Sequence, residues 1–189
     1  MVLMFLVPHC QAAMSPLGIS LFPPVEIPDD RFSITGVRLN LLVGSHLEVY
    51  GFDFGGLGNI TNHQMVGLQL AGLFNWNKGE STAIGAQLAA IANFNVSKAH
   101  LIGVQAAAIL NHNFAESTSS GLIIAALNLT EFTKVVGLEI GFFNKAKEVY
   151  GFQIGLVNLT ENLHGIQIGL LNFNTQGLFS VVPGLNVGF

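Results

Sequence analysis

Apolar and polar residues alternate along most of this chain in short segments that recur every 14 to 18 residues. The clearest copy, residues 150–157, has aromatic or aliphatic residues at every second position, with glycine or glutamine at most of the positions between them. A period of two is that of a β-strand, because successive side chains of a strand point to opposite faces. The pattern therefore predicts an all-β chain with no long helix.

The recurring motif is a glycine, an apolar residue, glutamine, a second apolar residue, and glycine or alanine. An asparagine follows at the eighth or ninth position of each copy, and the segments between copies are rich in Ser, Thr, Lys and Glu, which are typical of turns. A fixed period of this kind indicates a tandem-repeat architecture. Eight copies begin at Gly51, Gly67, Gly85, Gly103, Gly121, Gly137, Gly151 and Gly165, and a degenerate copy begins at Gly36.

Two architectures fit a strand-and-turn repeat of this length. In a β-solenoid with coils of 14–18 residues, the apolar face would point inward, the asparagines would form ladders at the corners and the glutamines would lie outside. In an up-and-down transmembrane β-barrel, the apolar face would contact lipid, and glycine and glutamine would line a narrow lumen.

Three features favour the barrel, with about ten strands over residues 33–189. The motif reads nearly the same in both directions about Gln153, which suits antiparallel neighbours. The last strand alternates and ends in Phe189, like the terminal-strand signal that the outer-membrane insertion machinery reads in barrels. Large aromatic residues lie at strand ends, where they would form girdles at two lipid interfaces. These aromatic residues are Tyr50, Trp76, Phe94, Tyr150 and Phe173.

The glutamine position of the motif is the candidate polar row of the lumen. Three copies have a charged residue there, and an isolated buried charge is costly, so we expect these three to pair with one another across the lumen. The row consists of Arg38, Asp53, Gln69, Gln87, Gln105, Glu139, Gln153 and Gln167.

The composition changes the picture in two ways. Half of the residues are apolar and only 10% are charged, whereas a soluble domain has roughly 25% charged residues, so contact with lipid or a very regular stacked interior is implied. The net charge of −4 comes from scattered residues without a basic stripe, which argues against nucleic acid as a partner. No apolar run reaches the length of about 18 residues that a transmembrane helix needs.

The first 13 residues resemble a secretory signal peptide, with an apolar core followed by small residues near Ala13. The only cysteine, Cys10, lies in this segment, so no disulfide is expected in the mature chain. Residues 14–32 contain several prolines and are expected to be a lead-in or plug that ladders poorly. Residues 33–189 are then a single β-repeat domain. We expect export to the bacterial outer membrane or cell surface.

No group of residues indicates catalysis. The histidines occur singly in or beside different turns, and no cluster of metal ligands, phosphate-binding loop or nucleophile beside a base is present. We therefore expect no enzyme activity, no catalytic residue, no metal and no cofactor. The histidines in question are His46, His63, His100, His112 and His164.

The sequences GFQIGLVN at 151–158 and GIQIGLLN at 165–172 resemble the bacterial surface-repeat family of exported envelope proteins. The likeness covers residues 15–189, departs where Ile123 replaces glutamine, and implies a surface-associated protein without assigned catalytic residues. The expected function is that of a structural or surface-exposed outer-membrane barrel with a largely filled lumen, serving adhesion or limited passage, with a bilayer and the insertion machinery as partners. The alternative is an exported β-solenoid that binds a partner through its glutamine face.

Overall fold

The computed structural model describes residues 13–189, and every regular element of secondary structure in that range is a β-strand. They stack as coils of a flattened β-solenoid. Each coil has one strand segment with the glycine–glutamine motif, on a side that we call face A, and one with the asparagine, on the opposite side, face B. The prediction of an all-β repeat fold is confirmed.

The strands divide by the faces on which they lie. Face A alone is formed by β1 (Met14–Phe22), β3 (Ser33–Asn40), β7 (Glu80–Ala89), β9 (Ala99–Ala107) and β11 (Ser117–Ile124). Face B alone is formed by β6 (Phe74–Asn77), β8 (Ala92–Asn95) and β10 (Leu110–Asn113). Five longer strands start on face B and bend into face A, and the last of them, β14, then returns to face B. They are β4 (Val43–Gly55), β5 (Gly58–Ala71), β12 (Leu127–Ile140), β13 (Phe143–Ile154) and β14 (Val157–Asn174).

Neighbouring coils pair in parallel and in the register of the repeat, so Gly137 lies beside Gly151 and Gly151 beside Gly165. The stack has about ten coils and is a β-solenoid, so the predicted barrel is wrong and the alternative fold is confirmed. The physical reason is that each repeat contains two strand segments and two bends. The chain therefore returns to the same face in the same direction. Parallel stacking in register places each residue beside its equivalent in the next coil, and this does not depend on whether the motif is palindromic.

Only the two ends of the solenoid show antiparallel pairing. At one end, β1 pairs in parallel with β3, and β2 (Val25–Ile27) folds back antiparallel to β1. Residues 14–22 thus pair with the stack, with a shift of register between Ser15 and Leu17 around Pro16. The expectation that residues 14–32 are a lead-in or plug stays a prediction. At the other end, β15 (Val181–Gly188) closes antiparallel against β14. Phe189 follows β15 and is fully exposed, and the predicted signal peptide lies outside the described residues except for Ala13.

The first glycine of each motif has a left-handed backbone conformation, with φ between 106° and 152° in the eight full copies. A side chain is strained at such φ values. In Gly151, a Cβ atom would also lie 2.1 Å from the carbonyl oxygen of Gly137 in the coil below. At Gly85 no atom lies within 4 Å of the equivalent Cβ position, because the register shifts between β5 and β7. The glycine repeat is therefore a requirement of coil stacking.

The interior is largely polar and the exterior largely apolar. The glutamines and asparagines of the motif are buried, whereas the apolar residues that alternate with them point outward. The orientation expected for the solenoid, with glutamine outside, is therefore wrong. Apolar residues fill the interior beside the bends from face B to face A, and small alanines such as Ala89 and Ala107 are buried at the opposite bend. The larger apolar cluster also includes Ile123 from the glutamine row and consists of Ile123, Val135, Ala146, Val149 and Leu163.

Candidate functional site

Asparagine side chains form a continuous ladder along the solenoid. Each one except the last, Asn172, donates one amide hydrogen to the asparagine of the next coil, as Asn144 does to Asn158 at 2.8 Å. From Asn59 onward the other hydrogen goes to a backbone carbonyl, as from Asn144 to Ile154 at 2.9 Å, whereas that of Asn40 goes to the carboxylate of Asp53. Every buried amide donor of these residues is thereby used. The full ladder is Asn40, Asn59, Asn75, Asn93, Asn111, Asn128, Asn144, Asn158 and Asn172.

The eight residues of the predicted polar row lie in one buried line, inside the solenoid rather than in a lumen. In the first part of the row, each glutamine donates to the preceding coil: Gln69 to Asp53 at 3.1 Å, and Gln87 to Gln69 at 3.1 Å. Gln87 also donates across the core to Asn95 at 3.2 Å. The row is thus a directional amide ladder that needs an acceptor at its first position.

Ile123 interrupts this row. It occupies the glutamine position of its coil, is 2% exposed and offers no hydrogen-bonding group. As a result, the side-chain oxygen of Gln105 on the preceding coil is buried without a partner. The interruption divides the row into an N-terminal ladder, from Arg38 to Gln105, and a C-terminal ladder, from Glu139 to Asn186.

Arg38 and Asp53 begin the N-terminal ladder as a fully buried ion pair on adjacent coils. Nε and Nη2 of Arg38 donate to the two carboxylate oxygens of Asp53 at 2.7 and 2.6 Å, and Nη1 donates to the carbonyl of Ile60. The two strands are parallel, whereas antiparallel strands were expected. Glu139 does not join this pair, because it lies five coils beyond Asp53 along the row, roughly 24 Å away at the usual strand spacing of about 4.8 Å.

Glu139 begins the C-terminal ladder without a cation. Gln153 donates to its Oε2 at 2.7 Å, and its Oε1 lies 2.9 Å from the hydroxyl of Thr130. That hydroxyl also lies 2.9 Å from the carbonyl oxygen of Lys145, which can only accept. The hydroxyl hydrogen can therefore go to Lys145, leaving the Thr130 oxygen to accept from a protonated Glu139. Burial raises the pKa of Glu139 to about 7, against the two hydrogen bonds that lower it.

A second buried acid lies near the N-terminal end of the solenoid. Oε2 of Glu26 is 3.1 Å from Nδ1 of His46, and Nε2 of His46 is 3.2 Å from the carbonyl oxygen of Pro28. Burial raises the pKa of Glu26 and lowers the pKa of His46 to about 4. Both shifts favour the neutral forms, so a neutral carboxyl group lies beside a neutral imidazole at this end of the interior.

The remaining histidines lie apart from one another. His63 contacts Glu48 at 2.8 Å, His112 stacks on Phe114, and His164 stacks on Tyr150. His100 lies on face A beside the bend that precedes β9. Among residues 13–189, no three His, Cys, Asp or Glu side chains come together as metal ligands. The expectation of no metal, cofactor or catalysis stays a prediction.

The outer surface has two unlike edges where the faces meet. The Gly/Ala edge is the bend after the glutamine motif, and it carries two open apolar grooves of about 920 and 700 Å³. Glycine and alanine form the floor of these grooves, as at Ala107 and Gly155, between ridges of larger residues such as Leu88 and Ile154. The opposite bend is the charged edge. All charged residues of the described chain except the buried Glu26, Arg38, Asp53 and Glu139 lie at or within two residues of it.

The five predicted girdle aromatics all point outward and flank the charged edge. Tyr50 and Tyr150 follow Glu48 and Glu148 by two residues, and Trp76 precedes Lys78 by two. Phe94 lies beside Trp76 on the next coil, with ring centroids 6.1 Å apart, and Phe173 holds the same position near the last coil. The aromatics therefore lie in one row on each face beside this edge, which we call the aromatic band, and not in one girdle at each end of every strand. Aliphatic residues such as Ile84 and Ile102 occupy the row between the two tyrosines of face A.

Sequence reasoning missed the burial of the asparagines and glutamines, although a signal for it was present. The charged residues at the glutamine position occur where a ladder starts, at Asp53 and at Glu139 directly after Ile123. A carboxyl oxygen at those places accepts the hydrogen bond from the glutamine of the next coil, which suits a directional amide ladder.

No helix able to span a membrane is found among the described residues. No protein-family model matches the chain, and no curated protein or solved structure shows significant similarity to it.

Proposed function

We propose that this protein is a non-catalytic interaction module of the cell envelope, and that its apolar outer surface is the binding surface. The observation that carries the proposal is the inverted polarity of the solenoid. Amide ladders occupy the interior, and large apolar side chains stand on both faces and on the Gly/Ala edge. Binding through the glutamine face is not part of the proposal, because that face is buried.

The exposed apolar surface is larger than a protein that works alone in water requires. Soluble monomers rarely expose contiguous apolar patches above a few hundred Å². Here outward residues are apolar in consecutive coils, and Ile84, Ile102 and Phe152 on face A are about half exposed. The Gly/Ala edge adds Phe142 and Leu170, each about two-thirds exposed. A partner that removes this surface from water would gain roughly 25 cal/mol per Å².

The ladder interior suits such a role. Amide ladders with satisfied hydrogen bonds hold the coils in one register, so the outward side chains form regular rows along the axis. Repeat scaffolds of this kind present extended binding surfaces. The envelope location rests on the sequence alone, namely on the export-like residues 1–13 and on the low proportion of charged residues.

Exchange of three outward residues tests the proposal. The variant Ile84→Thr/Ile102→Thr/Phe152→Thr keeps residues that favour strands and changes no interior contact. We expect the wild-type chain to sediment with the envelope fraction of expressing cells and to be retained on a phenyl matrix, and the variant to lose both properties with an unchanged circular dichroism spectrum. The matched control is Lys98→Thr/Glu116→Thr/Glu161→Thr on the charged edge, which should behave like the wild type. A folded triple variant that still sediments and is retained would contradict the proposal.

A further inference from the structure

The apolar surface covers three sides of the solenoid. Face A, face B and the Gly/Ala edge between them are apolar, and exposed charges are restricted to the charged edge. A folded protein partner normally contacts one side of such a rod. A fluid apolar medium contacts all three at once, as the hydrocarbon of a bilayer would.

The order of residues from the charged edge to the Gly/Ala edge matches the order of layers in a membrane leaflet. Charged residues come first, the aromatic band second, and further apolar residues, such as Phe152 and Leu156, last. Lys134 lies over the ring of Tyr150 at 4.1 Å, and Lys78 lies 5.9 Å from the ring of Trp76. Tyrosine and tryptophan are enriched at the depth of lipid headgroups, where one end of the side chain is apolar and the other is hydrated.

The dimensions agree with this order. Tyr150 is five residues before Gly155 on face A, which corresponds to about 16 Å at roughly 3.3 Å per residue. One leaflet of a bilayer has about 15 Å of hydrocarbon, half of the core thickness of about 30 Å. The Gly/Ala edge would therefore lie near the middle of the bilayer when the aromatic band lies at its surface.

Backbone groups at the Gly/Ala edge are already satisfied within the solenoid. The N–H of Gly72 donates to Gly55 at 2.9 Å, and that of Leu156 to Phe142 at 3.0 Å. Hydrocarbon accepts backbone groups that are paired in this way. A bound peptide would instead find no partner there for its own amides. Open backbone edges are confined to the two ends, where Pro183 in β15 removes one N–H group.

We infer that the partner of the apolar surface is a lipid bilayer, and that the solenoid lies in one leaflet with its axis parallel to the membrane plane. The Gly/Ala edge points to the hydrocarbon interior, and the charged edge remains at the headgroups. This inference rests on the proposed function and names its partner.

The single tryptophan, Trp76, allows a direct test of depth. The full chain is mixed with phosphatidylcholine vesicles, floated, and its fluorescence is quenched by lipids with a nitroxide either near the carbonyl or near the methyl end of the acyl chain. We expect flotation, and stronger quenching of Trp76 by the shallow nitroxide. The double variant Trp76→Phe/Leu156→Trp should show the reverse preference, and Trp76→Phe/Glu161→Trp should be weakly quenched by both.

Other results would overturn the inference in distinguishable ways. Equal quenching depth at the three positions would exclude the in-plane orientation. A chain that sediments with envelopes and binds the phenyl matrix, but does not float with vesicles, would exclude the bilayer and leave the proposed function standing. Sedimentation velocity that shows stable oligomers in both the absence and presence of vesicles, again without flotation, would identify a second copy as the occupant. Loss of envelope and phenyl binding as well would remove both proposals.

Discussion

The N-terminal and C-terminal ladders occupy the same interior row and begin with different chemistry. The N-terminal ladder starts from Asp53, whose carboxylate accepts hydrogen bonds from Arg38, Asn40 and Gln69. The C-terminal ladder starts from Glu139, whose carboxyl group is hydrogen-bonded to Gln153 and Thr130. One buried carboxyl therefore has a buried cation beside it, and the other has none.

This difference shows two ways to start an amide ladder in a dry interior. A glutamine at the first position would direct its amide hydrogens to a preceding coil that offers no acceptor. A carboxyl group at that position avoids this. An adjacent guanidinium compensates the charge of the first acid, whereas desolvation favours the protonated form of the second. The two halves should consequently differ in their response to mutation and to pH.

The largest expected effect is at the ion pair. Arg38→Gln should lower the free energy of unfolding by about 3 to 5 kcal/mol, because it leaves a buried carboxylate without its cation. Urea denaturation of the wild type, Arg38→Gln, Asp53→Gln and the double variant Arg38→Gln/Asp53→Gln measures this free energy. The double variant restores glutamine at two positions of the repeat and should recover most of the loss. Equal destabilisation in the double and single variants would show that the pair itself is unimportant.

The first glycine of the motif occurs in both halves of the solenoid, so the same substitution can be compared at two equivalent positions. Gly151→Ala should cost about 2 to 4 kcal/mol, from left-handed strain together with overlap between the new Cβ and the Gly137 carbonyl, 2.1 Å away. Gly85→Ala meets only the strain, because no atom lies within 4 Å of its Cβ position, and should cost about 1 to 3 kcal/mol. Thermal unfolding measures both. If Gly85→Ala proved the more harmful, close stacking would not explain the glycine repeat.

A pH dependence is expected from Glu139, the buried acid without a cation beside it. The pKa of an unfolded glutamate is 4.5 and that of buried Glu139 is about 7, so its stabilisation is complete below pH 4.5 and is lost as the pH rises through 7. The loss is on the order of 3 to 4 kcal/mol at about 1.4 kcal/mol per pKa unit.

Glu139→Gln mimics the protonated form and should remove this dependence in urea titrations from pH 4 to pH 9. Glu161→Gln, an exposed change on the charged edge, serves as the control and should retain the dependence. A similar pH profile for Glu139→Gln and the wild type would rule out Glu139 as the titrating group.

The repeat, its strand period and the alignment of the glutamine row could be predicted because they are local and periodic. The direction of pairing could not, because a near-palindrome about Gln153 is compatible with both parallel and antiparallel neighbours. The side that faces inward was also misassigned in the solenoid alternative. The usual rule places apolar residues inside, whereas here Asn144 and Gln153 are buried and Phe152 is half exposed.

The sequence by itself determined the all-β character, the coil length, the glycine positions and the separation of exposed charges from apolar segments, because these depend on neighbours along the chain. Only the tertiary structure decided that equivalent residues stack directly above one another. That stacking allows each buried amide to bond its own copy in the next coil, and this makes a polar interior stable. It also places the aliphatic rows, the aromatic band and the charged edge on the outside in the order on which the membrane inference depends.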